Sequence, residues 1–361
     1  MNDTKAALAA EWRKFVQTVD GFGQRILSLA GDDAIDQGEG LRYLTRFLRY
    51  AFFLQLESAD PDFPRVFSAS SETQKFIGDS PDYLYEMMAI SDHRQYRIRG
   101  TRGAAPRLHF STYSLTPAGV VCTGSVCTPD FHIGEDGTYE IIASITPVDG
   151  NWLPMAEGAL FLQVRNFFES HHRKNPAQVT VEAIDGPAHP EPYDAARALA
   201  GLGKVIGQME RTIPLAIGFM DKVLERAGPN AFDADQSMWH AVGGNTATWY
   251  VQGVYDLAPD EGLIVETDVP ECSYFSFQLN NRWFESLDYV NRRIYYSSYT
   301  SKPDADGRIR YLVSAENRGF AHWLDTSEHR RGIMHWKWND VVRPPEITVR
   351  KVKLSEIRMG S

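Results

Sequence analysis

The sequence predicts an α+β, β-rich fold: two duplicated antiparallel β-sandwich or barrel-like units, with packed helices at the N-terminus and between the units. Three observations predict it. The first is an ordered match between residues 136–181 and 306–349. Asp136-Gly137 before Thr138-Tyr139-Glu140-Ile141 is answered by Asp306-Gly307 before Arg308-Ile309-Arg310-Tyr311. Asn151-Trp152-Leu153 is answered by His322-Trp323-Leu324, and Val179-Thr180-Val181 by Ile347-Thr348-Val349. Arg165 falls opposite Lys337 when one residue is inserted. Such order is the mark of a duplication. The second observation is period-two alternation after each Asp-Gly, with Tyr139, Ile141 and Ala143 in one copy and Ile309, Tyr311 and Val313 in the other. The third is helical spacing near the N-terminus and again between the copies.

Taken in order, residues 5–30 place Trp12, Phe15, Val16, Val19, Phe22, Ile26 and Leu29 on one helical face. A second helix over residues 40–57 turns Leu41, Leu44, Leu48 and Ala51 inward. Its neighbouring stripe of Tyr43, Arg46, Arg49 and Tyr50 reads as solvated. Ser80-Pro81-Asp82 has the chemistry of a helix start, Ser as cap and Pro at the first position, and predicts a helix over residues 83–90. Tyr96-Arg97-Ile98-Arg99-Gly100 alternates and opens the first β unit. A second alternating run puts His109, Ser111 and Tyr113 on one face. Asp-Gly is a hairpin signal, because both turn positions need positive φ. The Trp-Leu pair that follows predicts a ring closing the end of a sheet. Residues 185–192 are a Pro-rich linker. Residues 193–227 then read as helical, with a kink at Pro214, and residues 228–246 as irregular.

Tyr250-Val251-Gln252-Gly253 opens the second unit, where Ser276, Gln278 and Asn280 lie opposite Phe275, Phe277 and Leu279. These polar faces meet either water or a cavity, and an antiparallel sheet ordinarily solvates one face. The chain thus divides into N-terminal helices (1–70), a first β unit (71–185), a linker with a helical segment (186–246) and a second β unit (247–361). Gly360-Ser361 receives no role.

A chain of 361 residues suits two domains. A net charge of −10 argues against attraction to nucleic acid or an anionic membrane. No apolar run approaches the roughly 20 residues of a membrane span, and no leader-like start is present, so a cytoplasmic protein is expected. The three cysteines agree. Cys122 and Cys127 stand an odd number apart on a strand, which predicts opposite faces and no disulfide. No close Cys pair starts a zinc site.

With these pieces placed, the chain resembles the bacterial family built on the domain of unknown function DUF1214. The resemblance rests on Gly78-Asp79-Ser80-Pro81-Asp82 with Tyr85, on Tyr96-Arg97-Ile98-Arg99-Gly100 and on Asn151-Trp152-Leu153-Pro154. It is strongest in His322-Trp323-Leu324-Asp325-Thr326 with His329 and Gly332. Most of the chain after residue 70 is covered. Ser80 and His322 stand where the family's runs carry Asn. The resemblance implies a β-rich fold with added helices and no settled activity, so no catalytic residue is carried over.

Dinucleotide, phosphate-loop and nucleophile-elbow motifs are missing, and neither an organic cofactor nor a metal is expected. His171-His172 reads as a solvated loop. The densest reactive set is His322, Asp325, His329 and His335, present only in the second copy. His, Asp and His at this spacing would suit zinc or iron. The reading preferred is metal-free proton transfer, with Asp325 orienting an imidazole. Arg282, Trp283 and Tyr289 are candidate substrate clamps, although the stretch reads first as an ordinary hairpin with Asn in its turns. His109 and Tyr113 are further candidates for substrate binding.

The expected function is an organic-cofactor-independent enzyme acting on a mostly apolar or aromatic small molecule by lyase, isomerase or hydrolase chemistry. The alternative is a non-catalytic small-molecule-binding or scaffold protein. The expected partner is a small molecule, with no nucleic acid and no membrane; a homo-oligomer is compatible with the sequence.

Overall fold

The computed structural model describes residues 2–117, 119–237, 239, 244 and 248–357. Gly360-Ser361 and part of the irregular stretch 228–246 lie outside the described residues. The chain forms two compact units. One comprises Met1–Phe76, Asp82–Phe168 and His172–Leu215; the other comprises Ile77–Pro81, Glu169–His171 and Ala216–Ser361.

The first unit begins with helices α1 (Asn2–Ala30) and α2 (Ala34–Phe52). Asp33 caps α2, its carboxylate accepting the N–H groups of Ile35 and Asp36. The stripe expected to be solvated is split: Tyr43 and Tyr50 face inward with Leu44, Phe47 and Ala51, while Arg49 and also Leu41 are exposed. The cause is packing. Tyr50 stacks on Phe76 at 4.0 Å and joins Phe67 and Met87, a larger apolar contact than Leu41 would make. Arg49 turns away to Gln74 and Thr73.

Nine strands follow: β1 (Phe67–Ser70), β2 (Tyr83–Ala89), β3 (Gln95–Thr101), β4 (Arg107–Thr116), β5 (Gly119–Cys127), β6 (Thr138–Ser144), β7 (Trp152–Pro154), β8 (Ala159–Phe167) and β9 (Gln178–Ile184). They form sheets ordered β1-β2-β8-β4-β5 and β7-β6-β3-β9. Ile98, Phe110, Ile141, Leu162 and Val164 from both sheets share one core. Helix α3 (Ala195–Ile217) passes Pro214 and ends before Gly218, from which α4 (Phe219–Ala227) starts in the second unit.

The second unit repeats the pattern with β10 (Phe232–Asp233), β11 (Thr248–Asp256), β12 (Glu261–Asp268), β13 (Tyr274–Asn280), β14 (Tyr295–Ser297), β15 (Arg308–Ser314), β16 (Trp323–Asp325), β17 (Arg331–Asn339) and β18 (Ile347–Lys353). The sheet orders are β10-β11-β17-β13-β14 and β16-β15-β12-β18, the same topology strand for strand. Leu263, Phe277, Tyr311, Val313 and Trp336 fill its core.

The duplication extends to single hydrogen bonds. Trp152 Nε1 donates to Ser144 O and Oγ at 3.2 and 3.1 Å; Trp323 Nε1 donates to Ser314 O and Oγ at 3.1 Å each. Both Trp residues lie on short parallel edge strands, opposite Ile142 and Leu312. We expect Trp152→Phe and Trp323→Phe to destabilise by similar amounts, about 1 kcal/mol each, with additive effects in the double variant. Urea unfolding checks this.

Three local expectations are corrected. Residues 83–89 form strand β2, not a helix. Ser80 cannot serve as a cap because its Oγ is buried against Lys337 Nζ, and Leu84 and Met88 face the sandwich core while Tyr85 and Met87 face away from it. The Asp-Gly pairs are turns leading into β6 and β15, with Gly137 and Gly307 at φ +81° and +83°, and the partner strands β3 and β12 are remote in sequence. Finally, a bulge at Thr123 resets the alternation of β5. Cys122 then pairs with Tyr113 and Cys127 with His109, two residues on the same face. The cysteines share a side and remain free thiols.

The first core also holds a carboxyl group. Glu86 on β2 accepts from Asn166 Nδ2 at 3.3 Å, and burial pushes its pKa up to about 7. The folded state therefore keeps a proton that the unfolded chain loses near pH 4.5. Stability from this group is full below pH 4.5 and is lost as pH rises through 7. At about 1.4 kcal/mol per unit, the loss is on the order of 3 kcal/mol. We expect Glu86→Gln to gain on the wild type between pH 4.5 and 7 and to hold that margin above. Melting curves across pH measure it.

Candidate ligand-binding site

The outer faces of the two five-stranded sheets carry the chemistry. Along β8, Val164 points into the core opposite Phe110; along β17, Trp336 points into the core opposite Phe277. The next residue on each strand, Arg165 or Lys337, must point the other way. A cation thus occupies the same register position in both halves, beside Tyr85 and His109 in one and Tyr250 and Ser276 in the other.

The sequence suggested that these faces are solvated, but most of their polar residues are buried. Ser111, Ser276, Gln278 and Asn280 are 1% exposed or less, and His109 and Tyr113 are also buried. Helices explain the difference. Tyr50 of α2 packs on Met87 in the first unit, and Phe219, Met220 and Val223 of α4 pack on Val254 and Ile333 in the second.

In the first unit Arg165 Nη1 lies 3.3 Å from His109 Nδ1 and 3.2 Å from Ser111 Oγ, and Nη2 donates to Tyr113 at 2.8 Å. Because guanidinium only donates, His109 Nδ1 is the acceptor and its proton sits on Nε2, 3.3 Å from Ser111 Oγ. On the paired strand β5 the thiol of Cys122, across from Tyr113, donates to Gly124 O at 3.6 Å. Burial, then Arg165 and Arg107, lowers the pKa of His109 to about 3. The walls are aromatic: Phe161 stacks on Tyr113 at 4.7 Å, and Arg165 lies 6.0 Å from the Tyr85 ring centroid.

In the second unit the buried loop Gly78-Asp79-Ser80 is tied to the sheet. Lys337 Nζ donates to Gly78 O at 3.0 Å and meets Ser80 Oγ, while the Asp79 carboxylate accepts from Ser286 N and Oγ at 2.9 and 2.7 Å. His335 is fully buried, stacked 4.8 Å from Trp239, and burial followed by Lys337 drives its pKa well below the usual value. Among the described residues, five atoms on this face have no hydrogen-bond partner: Ser276 Oγ, Gln278 Oε1, Asn280 Nδ2 and both ring nitrogens of His335. At about 1–3 kcal/mol each, leaving them bare would cost as much as a whole domain's net stability.

The residues singled out in sequence do not converge. His322 performs the task of its counterpart Asn151: Asn151 Oδ1 accepts His132 N at 2.7 Å, and His322 Nε2 accepts Lys302 N at 3.0 Å. Burial lowers its pKa. Asp325 does not orient an imidazole; its carboxylate takes Arg292 at 3.1 Å and Ser327 N at 2.7 Å. His329 Nδ1 lies 3.0 Å from Thr326 O, closing a turn through Ser327 and Glu328 at positive φ. His335 projects from the outer face of its sheet, whereas the His322 ring packs against Tyr296 and Tyr311 of the core cluster. Among the described residues no cluster of three His, Cys, Asp or Glu could hold a metal.

Nor do the expected clamps meet that set. Arg282 pairs with Asp221 of α4 and lies over Trp283, itself fully buried. Tyr289 is core, near the ring of His171. Asn281 Oδ1 accepts from Trp283 N and Glu285 N, so the stretch is the Asn-turn alternative. His171-His172 lies in a loop as expected, with His172 exposed and His171 half-buried, its N–H donating to Tyr295 OH at 2.8 Å. We expect His322→Asn to change stability by less than about 1 kcal/mol, since Asn does the same work in the first copy; urea unfolding showing a loss of several kcal/mol would contradict it.

Open grooves of about 570 and 410 Å³ lie at matching places on the smaller sheets. Their charges are already paired, Arg99 with Glu140 and Arg310 with Glu266, with the sign order inverted between copies. The first is lined by His132 and Asn151, and neither contains Arg165, Lys337 or His335.

Among known proteins, the chain is similar to an uncharacterised protein from Burkholderia cenocepacia, with 34% identity over 98% of this chain and 100% of that one, at a TM-score of 0.92. The chain belongs to that protein's family. A structure from Vibrio parahaemolyticus covers 86% of this chain and 97% of its own at 11% identity and a TM-score of 0.47. Comparison with protein-family models finds no match, and neither does comparison with curated proteins. Among the described residues no helix is long and apolar enough to cross a membrane.

Proposed function

We propose that the protein binds a small aromatic acid on the polar face of the first sandwich, with Arg165 receiving the carboxylate. The observation that carries this reading is the setting of that guanidinium. His109, Ser111 and Tyr113 fix its orientation, beside the rings of Tyr85 and Phe161. A fixed guanidinium fork suits a planar carboxylate, and the rings suit an aromatic body. The cation's recurrence at the same register in the second copy supports a role for charge on this face.

The binding role is favoured over the enzyme on geometry: the side chains singled out for proton transfer lie apart, with Asp325 held by Arg292 and Ser327 and His335 on the outer face of its sheet. Membership of the DUF1214 family is proposed on the motifs given above. A cytoplasmic location is proposed on the net charge and the three free thiols.

The test is calorimetric titration with benzoate, phenylacetate and cinnamate, each against its neutral amide. The acids should bind at least tenfold more tightly than the amides, with affinity falling as salt rises. Equal affinity of acid and amide would sink the reading.

A further inference from the structure

The outer face of the second sandwich carries buried polar atoms that the proposed acid site does not use. Gln278 lies directly across from His335 between β13 and β17, and Asn280 is two residues further on the same face. The orientation of both amides is fixed. Asp79 O can only accept, so the group reaching it at 2.7 Å is Gln278 Nε2, and the same nitrogen donates to Asn280 Oδ1 at 3.0 Å. That leaves Gln278 Oε1, an acceptor, and Asn280 Nδ2, a donor, both without a partner among the described residues and both on residues at most 1% exposed. His335 cannot swing away to find partners, because it is stacked on Trp239 and flanked by Phe284 at 5.6 Å. As a neutral imidazole it offers one further donor and one further acceptor.

We propose that this face holds a small uncharged guest, one that donates to Gln278 Oε1 and accepts from Asn280 Nδ2 with His335 beside it. The balance of donors and acceptors selects against an ion. An ordered water and a small amide share the required chemistry, since each donates and accepts at short range.

The full-length protein is crystallised for an atomic-resolution map, and its mass is read under native conditions. Density is expected at about 2.7–3.2 Å from both Gln278 Oε1 and Asn280 Nδ2. A mass adduct that disappears in Asn280→Leu identifies an organic guest; density without an adduct identifies water. Either result supports the site. With the guest present, His335→Phe should lower Tm by roughly 2–4 °C, because the guest loses partners. A dry face gives the reverse: no density, and a raised Tm in His335→Phe, where stacking is kept and two orphan nitrogens vanish. Ser276→Ala carries the same logic of sign should the Phe variant fail to fold. An empty map together with raised Tm values overturns the proposal.

Discussion

Arg165→Met should weaken binding of an aromatic carboxylate by roughly tenfold to 150-fold, the equivalent of a charge-assisted hydrogen-bond pair at about 1.5–3 kcal/mol. The loss comes from the guanidinium and from what it organises. Without its Nη1 donors His109 is free to exchange tautomers, and Tyr113 loses the 2.8 Å contact that sets its hydroxyl. Arg165→Lys separates charge from shape. It keeps the cation but cannot present a planar fork, so it should recover only part of the affinity. Calorimetry of both variants, beside their melting curves, distinguishes a lost contact from a lost fold. Unchanged affinity in Arg165→Met would remove the anchor from the account.

Asp79→Ala should destabilise the second unit by about 2–5 kcal/mol. Asp79 is buried, and removing its carboxylate deletes the two hydrogen bonds it accepts from the N–H and hydroxyl of Ser286. The surrounding loop cannot move aside. Gly78 N donates to Phe284 O at 2.7 Å, its φ is +63°, and a Cβ there would lie 2.9 Å from the Phe284 ring. Asp79→Asn keeps one acceptor and should lose roughly half as much. Urea midpoints matching the wild type in both variants would show that the loop is not a structural tie.

The duplicated fold was legible because hairpin-like turns, alternation and Trp-Leu pairs are local signals that both copies repeat. The segment Ser80-Pro81-Asp82 was misread for the opposite reason. Its cap chemistry is local, but Lys337 claims the serine from 257 residues away, a contact no window of sequence contains. The candidate site suffered similarly. His322 looked like added chemistry because Asn151 is a different residue, yet both accept one backbone N–H at the same place in the fold. Arg165, by contrast, was visible only as an alignment partner of Lys337. Its significance depends on β4 and β8 pairing Arg165 with His109, a register that the sequence did not reveal.

The most direct test of the acid site uses Cys122, an exposed residue of β5 that pairs with Tyr113 of β4. Its alkylation rate by iodoacetamide is followed by peptide mass spectrometry at increasing benzoate. Occupancy of the Arg165 face should slow Cys122 in step with binding, leave Cys272 unchanged, and have no effect in Arg165→Met. Benzoate that binds while Cys122 reacts at its original rate, or protection that survives in Arg165→Met, would contradict the account.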